Sequence, residues 1–256
     1  MRTTTLGAVS ACLVAAGCSS NDIGKSEYDE IAQLVASSVT TPDGGGIAGG
    51  AADAARLARG EMPPGFAMDP QTGMATGSHH GISCVYMVFC LDAHGMHMDR
   101  CGPDAETATV VAGWQGTLAL DMFAGAISRQ ATWTLTGMAS GHAVLTGQSQ
   151  LVYDVTFTPG FVHDHATATE DAALDIDAAT GAIAGGTLGS QLSARRTVDA
   201  SHGQQIWDHD IGAEVTFGGA GTATLVLDGT RTYTIDLETG AVSGGGIYSN
   251  VATTGQ

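Results

Sequence analysis

Between Thr222 and Gly245 the chain reads TATLVLDGTRTYTIDLETGAVSGG, and this stretch restricts the possible folds more than any other. Ala223, Leu225 and Leu227 alternate with Thr222, Thr224 and Val226; Tyr233, Ile235 and Leu237 alternate with Thr232, Thr234 and Asp236. Successive side chains of a strand point to opposite faces, so a period of two with one apolar set marks a half-buried strand. Asp228-Gly229 separates the two runs as a type I′ hairpin turn, whose central residues both need positive φ. Gly240 can supply the left-handed residue of a longer connection into a third strand.

The same grammar continues upstream. ISCVYMVFCL (82–91) is apolar on both faces, as a central strand covered on both sides would be. Thr107 to Leu120 alternates around Trp114 with a glycine kink, and RQATWTLTG, ASGHAVLTG and SQLVYDVTF read as successive β segments. Phe161 to Asp177, Ala182 to Thr197 and Gln204 to Phe217 extend the series, with Trp207 in the core and Asp208-His209-Asp210 as a solvated edge. The pattern predicts a mainly β protein: a large antiparallel meander of about 11 strands, curved into a half-barrel or barrel, with one or two short N-terminal helices.

Two internal echoes accompany it. IDAATGAIAGG (176–186) matches IDLETGAVSGG (235–245) at 7 of 11 positions with an offset of 59, and 133–154 aligns with 215–236 at 6 of 22 with an offset of 82. Unequal offsets argue against a solenoid or propeller, which needs one period; reuse of one hairpin solution, or an old duplication blurred by insertions, explains both.

Before residue 81 the pattern changes. Ser26 reads as an N-cap for a helix from about Glu27 to Ser38, its stripe formed by Tyr28, Ile31, Leu34 and Val35. TTPDGGGIAGG (40–50) reads as a loop, and a second helix is predicted from Ala51 to Arg59 with Gly60 as its stop. The stretch from Pro63 to Gly81 reads as irregular. The organisation expected is therefore 1–17 leader, 18–25 tether, 26–80 helical and irregular lead-in, and 81–256 β domain.

The leader assignment comes from MRTTTLGAVSACLVAAGCSS: one positive charge, an apolar run from Leu6 to Ala16, then Gly17-Cys18. That run is well short of the roughly 20 residues a membrane-spanning helix needs, so it reads as an export signal. Val14-Ala15-Ala16-Gly17-Cys18 resembles the lipobox of bacterial lipoproteins, with Ala15 where the family usually has Leu. The resemblance implies removal of residues 1–17, lipidation of Cys18, and anchorage to a bacterial membrane, with Ser19 favouring the outer one. The membrane is thus the first expected partner.

Loss of Arg2 with the leader takes the net charge from −17 to −18. A surface this acidic, with Lys25 as its lone lysine, argues against nucleic acid and anionic headgroups as partners, since both need clustered positive charge. Outside the cytosol cysteines can pair. Cys84 and Cys90 share a strand face but lie about 20 Å apart at 3.3 Å per residue, so Cys90–Cys101 is the expected disulfide, Cys84–Cys101 its rival, and Cys84 an inert buried thiol.

The remaining polar candidates are histidines. His94 and His97 share the Cys90–Cys101 loop with Met96 and Met98, and His163 and His165 share a strand face that His202 or His209 could complete as a metal site. No spacing demands a metal or any other cofactor, and solvated histidines are the simpler reading. Gly-x-Ser-x-Gly, His-Glu-x-x-His, Walker and EF-hand patterns are all missing, so enzyme is the weaker class. Two binding roles remain: a structural or protein-binding lipoprotein, and a carrier of lipid or another hydrophobic ligand in a half-barrel cavity. The general layout is similar to that of bacterial lipoprotein-carrier folds, at the level of architecture only.

Overall fold

The computed structural model describes residues 23–40, 46–158, 160–200, 203–219 and 221–247. Two helices, α1 (Lys25–Val39) and α2 (Ile47–Ala58), precede the sheet. Its strands are β1 (Ala67–Met68), β2 (Ala75–His79), β3 (Ile82–Leu91), β4 (Thr107–Ala119), β5 (Phe123–Thr136) and β6 (His142–Phe157), then β7 (Val162–Asp177), β8 (Ile183–Ala200), β9 (Gly203–Phe217), β10 (Thr222–Leu227), β11 (Arg231–Asp236) and β12 (Val242–Ile247). Every neighbour pair is antiparallel, and the spatial order equals the chain order from β1 to β12. Among the described residues the two end strands, β1 and β12, do not pair with each other, so the sheet is open and curved like a half-barrel. Among the described residues no helix is long and apolar enough to cross a membrane.

The opening stretch folds as its alternation requires. Ala223, Leu225, Leu227, Tyr233 and Ile235 are buried, and Asp228 and Gly229 take φ of 48° and 64°. The echoed sequences also share a physical cause. In the β7–β8 and β11–β12 loops the first Asp accepts backbone N–H groups, Asp177 from Ala179 and Thr180 and Asp236 from Glu238 and Thr239, while Gly181 and Gly240 sit at φ near 74° and 73°. Asp69-Pro-Gln-Thr-Gly73 between β1 and β2 is a third copy, with Asp69 accepting from Gln71 N–H and Gly73 at φ 69°. In all three loops these backbone hydrogen bonds, joined by the Thr hydroxyl, hold the Asp carboxyl below its usual range.

Several boundaries differ from the sequence reading. α1 begins at Lys25, because Glu27 reaches back to the Gly24 N–H at 2.6 Å and makes Gly24 the cap in place of Ser26. α2 begins four residues before Ala51, taking in Gly49 and Gly50. Gly50 suits the helix here because a Cβ on it would lie 2.6 Å from Trp114 Cζ2. The sheet starts at Ala67, well before residue 81, with β1 and β2 added to the expected strands. ASGHAVLTG and SQLVYDVTF fuse into the single strand β6, since Gly147 lets the ladder continue where its Cβ would strike Thr132 and Trp133. Finally, β3 is covered on one face only: Val85 and Phe89 on its outer side are 38% and 46% exposed.

Candidate functional site

The concave face of the sheet, where α1 and α2 lie, holds nearly all the buried polar groups of the described chain. β5, β7 and β8 each place a charge in the register that otherwise carries apolar side chains. On β5 Arg129 follows Ile127 and precedes Ala131 and Trp133; on β7 Asp164 precedes Ala166 and Glu170 falls between Ala168 and Ala172; on β8 Arg196 follows Leu192 and Ala194. Their signal in the sequence is a charge breaking a period of two, which apolar patterning alone does not single out.

Arg129 donates from Nη2 to Glu170 Oε1 and to the Ser38 carbonyl, both at 3.0 Å, and lies over the Trp114 ring at 5.8 Å. Ser149, paired across the ladder with Glu170, donates its hydroxyl to the same carboxylate. The Tyr153 hydroxyl donates to the Leu34 carbonyl at 2.9 Å, and burial raises its pKa above the ordinary tyrosine range. The Ser38 carbonyl, one of the four at the end of α1 that no helical N–H reaches, is thus satisfied from the sheet, and Leu34 one turn earlier is held as well.

A second cluster serves the first turn of α1. Arg196 forms a two-pronged pair with Asp164, at 2.9 and 2.7 Å. The same guanidinium lies 2.7 Å from Glu30 and 3.8 Å from Glu27. Burial raises the Glu30 pKa, against the pull of Arg196. Burial also opposes the charge on Arg196, but the Asp164 and Glu30 carboxylates outweigh it and raise the Arg196 pKa. Nearby, Tyr233 donates to Asp29 at 3.0 Å and Tyr28 to Asp228 at 2.9 Å.

The third cluster lies under α2. Asp53 is within 2.9 Å of both the Tyr86 hydroxyl and His79 Nε2, and Phe66, Tyr86, Trp114 and Trp133 form a ladder of rings 5.3–5.8 Å apart beside it. Cys84 is buried on the same face, and desolvation with the nearby Asp53 charge pushes its thiol up to about 12. A thiol held so high is almost wholly protonated at neutral pH and so a poor nucleophile.

Cys90 and Cys101 form the disulfide, with Cα atoms 5.3 Å apart; the Cys84–Cys101 pairing does not occur. His94 and His97 stay in the exposed loop it closes, where Asp92 accepts the His94 N–H. His163 and His165 share the outer face of β7, and His163 lies 2.9 Å from Thr156 and 3.7 Å from Asp199. His209 belongs to the inner face, opposite Ala194, so it cannot complete a site with them; Trp207 is only half-buried. Among the described residues no group of three His, Cys, Asp or Glu side chains is arranged to hold a metal ion. Cys18 and His202 lie outside the described residues.

What this arrangement can do is hold helices. Asp53, Asp164 and Glu170 are buried, Glu27 and Glu30 are partly exposed, and each of them already faces a cation, a hydroxyl or an imidazole. No family model matches this chain, and neither the curated proteins nor the solved structures contain a significant match.

Proposed function

We propose that the chain is a lipid-anchored extracytoplasmic protein of a bacterial membrane, more specifically the outer membrane, whose β domain serves a structural or protein-binding role. The observation that carries the second half of this reading is the filling of the concave face by α1 and α2. An open sheet of this size has a hollow side, and here that side is occupied by the chain's own helices and their ion pairs. The outer face remains for partners. There the outward residues of β3 to β5 carry no charge and include the exposed Val85, Phe89 and Val111, while β7 to β9 carry Asp171, Asp175, Asp208, Asp210 and Glu214. Exposed apolar surface bordered by polar residues is a common property of protein contact sites.

The anchor rests on the lipobox resemblance at Cys18. Cys18→Ser should move the protein from the membrane to the soluble fraction and abolish acyl labelling; membrane retention with labelling intact would contradict it. Protein binding is tested by cross-linking in intact cells, where a discrete protein adduct of the lipidated chain is expected and the absence of any adduct would remove the reading.

A carrier of a hydrophobic ligand is the second reading, favoured by one feature. A cavity of about 640 Å³ opens between the end of α2 and the first three strands, lined by Leu57, Met62, Met68, Tyr86 and Val88. That volume is in the range of small-molecule sites. Native mass spectrometry of the Cys18→Ser protein separates the readings: a bare mass supports the first, and a copurifying lipid the second.

A further inference from the structure

β10 is much shorter than the strand it pairs with. It covers only Ala213–Phe217 of β9, and its turn at Asp228-Gly229 closes the pairing with Asp228 N–H donating to the Gly212 carbonyl. On the other side β9 is paired with β8 along its whole length without a register shift. Gly212 therefore directs its backbone groups away from β8, and by alternation so do Asp210, Asp208, Ile206 and Gln204. Among the described residues no strand pairs with that part of the edge. It offers four consecutive outward-directed N–H and C=O pairs over about 20 Å, at about 3.3 Å per residue.

The side chains along this edge define what can pair with it. Asp208 and Asp210 stand exposed on the outer side, where Arg195 meets Asp208 at 3.4 Å and Ser193 donates to Asp210. On the inner side His209 is 8% exposed and its Nε2 has no hydrogen-bond partner. Ile206, at the open end, is 51% exposed. Two carboxylates on a bare strand edge oppose pairing with a second copy of the same edge, since like charges would face each other across the ladder. They favour a strand with cations at alternate positions, and the net charge of −17 draws such a strand in from a distance. A polar residue facing inward on that strand would come within about 5 Å, Cβ to Cβ, of His209 and could satisfy its free nitrogen.

We infer that the 204–210 edge of β9 is a docking site for an extended basic segment of a partner protein, which joins the sheet as an additional strand with Lys or Arg facing Asp208 and Asp210 and a small polar residue facing His209. Backbone hydrogen bonds supply the pairing and the two acids the selectivity, as in other complexes made by strand addition. The inference rests on the protein-binding reading and names the partner's chemistry.

The test uses the full chain in detergent micelles and a fluorescent ten-residue peptide of alternating Lys and Thr, followed by fluorescence anisotropy. Binding is expected, with protection from hydrogen exchange at the amides of Ile206, Asp208 and Asp210. Ile206→Pro removes one outward N–H without touching the β8 ladder or the charge, and should weaken binding at least tenfold; Asp208→Lys with Asp210→Lys should do the same. A peptide of identical charge with alternate backbone nitrogens methylated should bind at least tenfold more weakly. Equal binding of the methylated peptide, or no effect of Ile206→Pro, would reduce the interaction to general attraction by an acidic protein and overturn the inference, as would no binding at all. In cells, a cross-linked adduct whose yield is unaffected by Ile206→Pro would overturn the edge site while leaving the protein-binding reading intact.

Discussion

The two helices rest on one sheet through different chemistry. α1 is held by directional contacts to charged or hydroxyl-bearing side chains: Arg129 and Tyr153 at its end, and Arg196 and Tyr233 near its start. α2 is held by closeness. Its Gly50, Ala51, Ala54, Ala55 and Ala58 let the backbone lie almost on the aromatic ladder, and Asp53 is its one polar grip on the strands below. The α1 half thus depends on charges staying paired, and the α2 half on the absence of side-chain bulk. Both solutions fill the hollow of the sheet.

The largest effect should come from breaking the ionic half. Glu170→Ala leaves Arg129 buried without its carboxylate and should cost about 3–5 kcal/mol in urea unfolding. Replacing both, Arg129→Met with Glu170→Leu, should cost less than the single change, because no charge is left stranded. A double variant worse than Glu170→Ala would show that the pair contributes more than mutual neutralisation.

At the α2 end the chain is closed by the Cys90–Cys101 bond, and Cys90→Ala with Cys101→Ala should cost about 2–4 kcal/mol. The steric half has a sharper signature. Gly50→Ala in an exposed helix would gain about 1 kcal/mol, yet here the new methyl would meet Trp114 Cζ2 at 2.6 Å, so a loss of about 1–3 kcal/mol is expected. A gain in stability would mean that α2 does not seat on the indoles. In the same half, Cys84, with its thiol pushed up to about 12, should resist alkylation at pH 8 until the protein unfolds.

The smallest effect belongs to the three Asp-x-x-Thr-Gly loops, whose Asp carboxyls bond only within their own loops, although Gly181 lies against Ala52 of α2 and Gly240 beside Thr40. Their carboxyls are held below the usual range when folded, so their contribution is present above the unfolded pKa and is lost as pH falls from that range through the lowered values. Asp69→Asn, Asp177→Asn and Asp236→Asn together should flatten the fall of stability on acidification in that window. An unchanged slope would show that the loops do not contribute to it.

These contrasts also explain which parts were legible in the sequence. Strand alternation and Asp-Gly turns are local, so the meander from β3 to β12 and the Cys90–Cys101 closure could be read residue by residue. The start of α2 could not, because Gly50 seats against Trp114 and Trp133, more than sixty residues away. Nor could the open outer face of β3, since an apolar run does not tell which of its faces is covered. The buried clusters fall between these cases: Arg129, Asp164 and Glu170 stood out in an apolar register, but their partners on α1 emerge only once the sheet has curved. His209 shows the limit of reading neighbours alone, as it shares a tetrapeptide with two exposed acids and turns to the opposite face.

The claim that α1 and α2 are fixed contents of the sheet, and not covers that lift to admit a ligand, is tested most directly by native-state hydrogen exchange. If they are fixed, the amides of Ile31–Val39 and Ala51–Ala58 should exchange only through the same global unfolding that releases β5 to β7, with equal free energies. Exchange of either helix at a markedly lower free energy, while the strands stay protected, would contradict the account and favour the carrier.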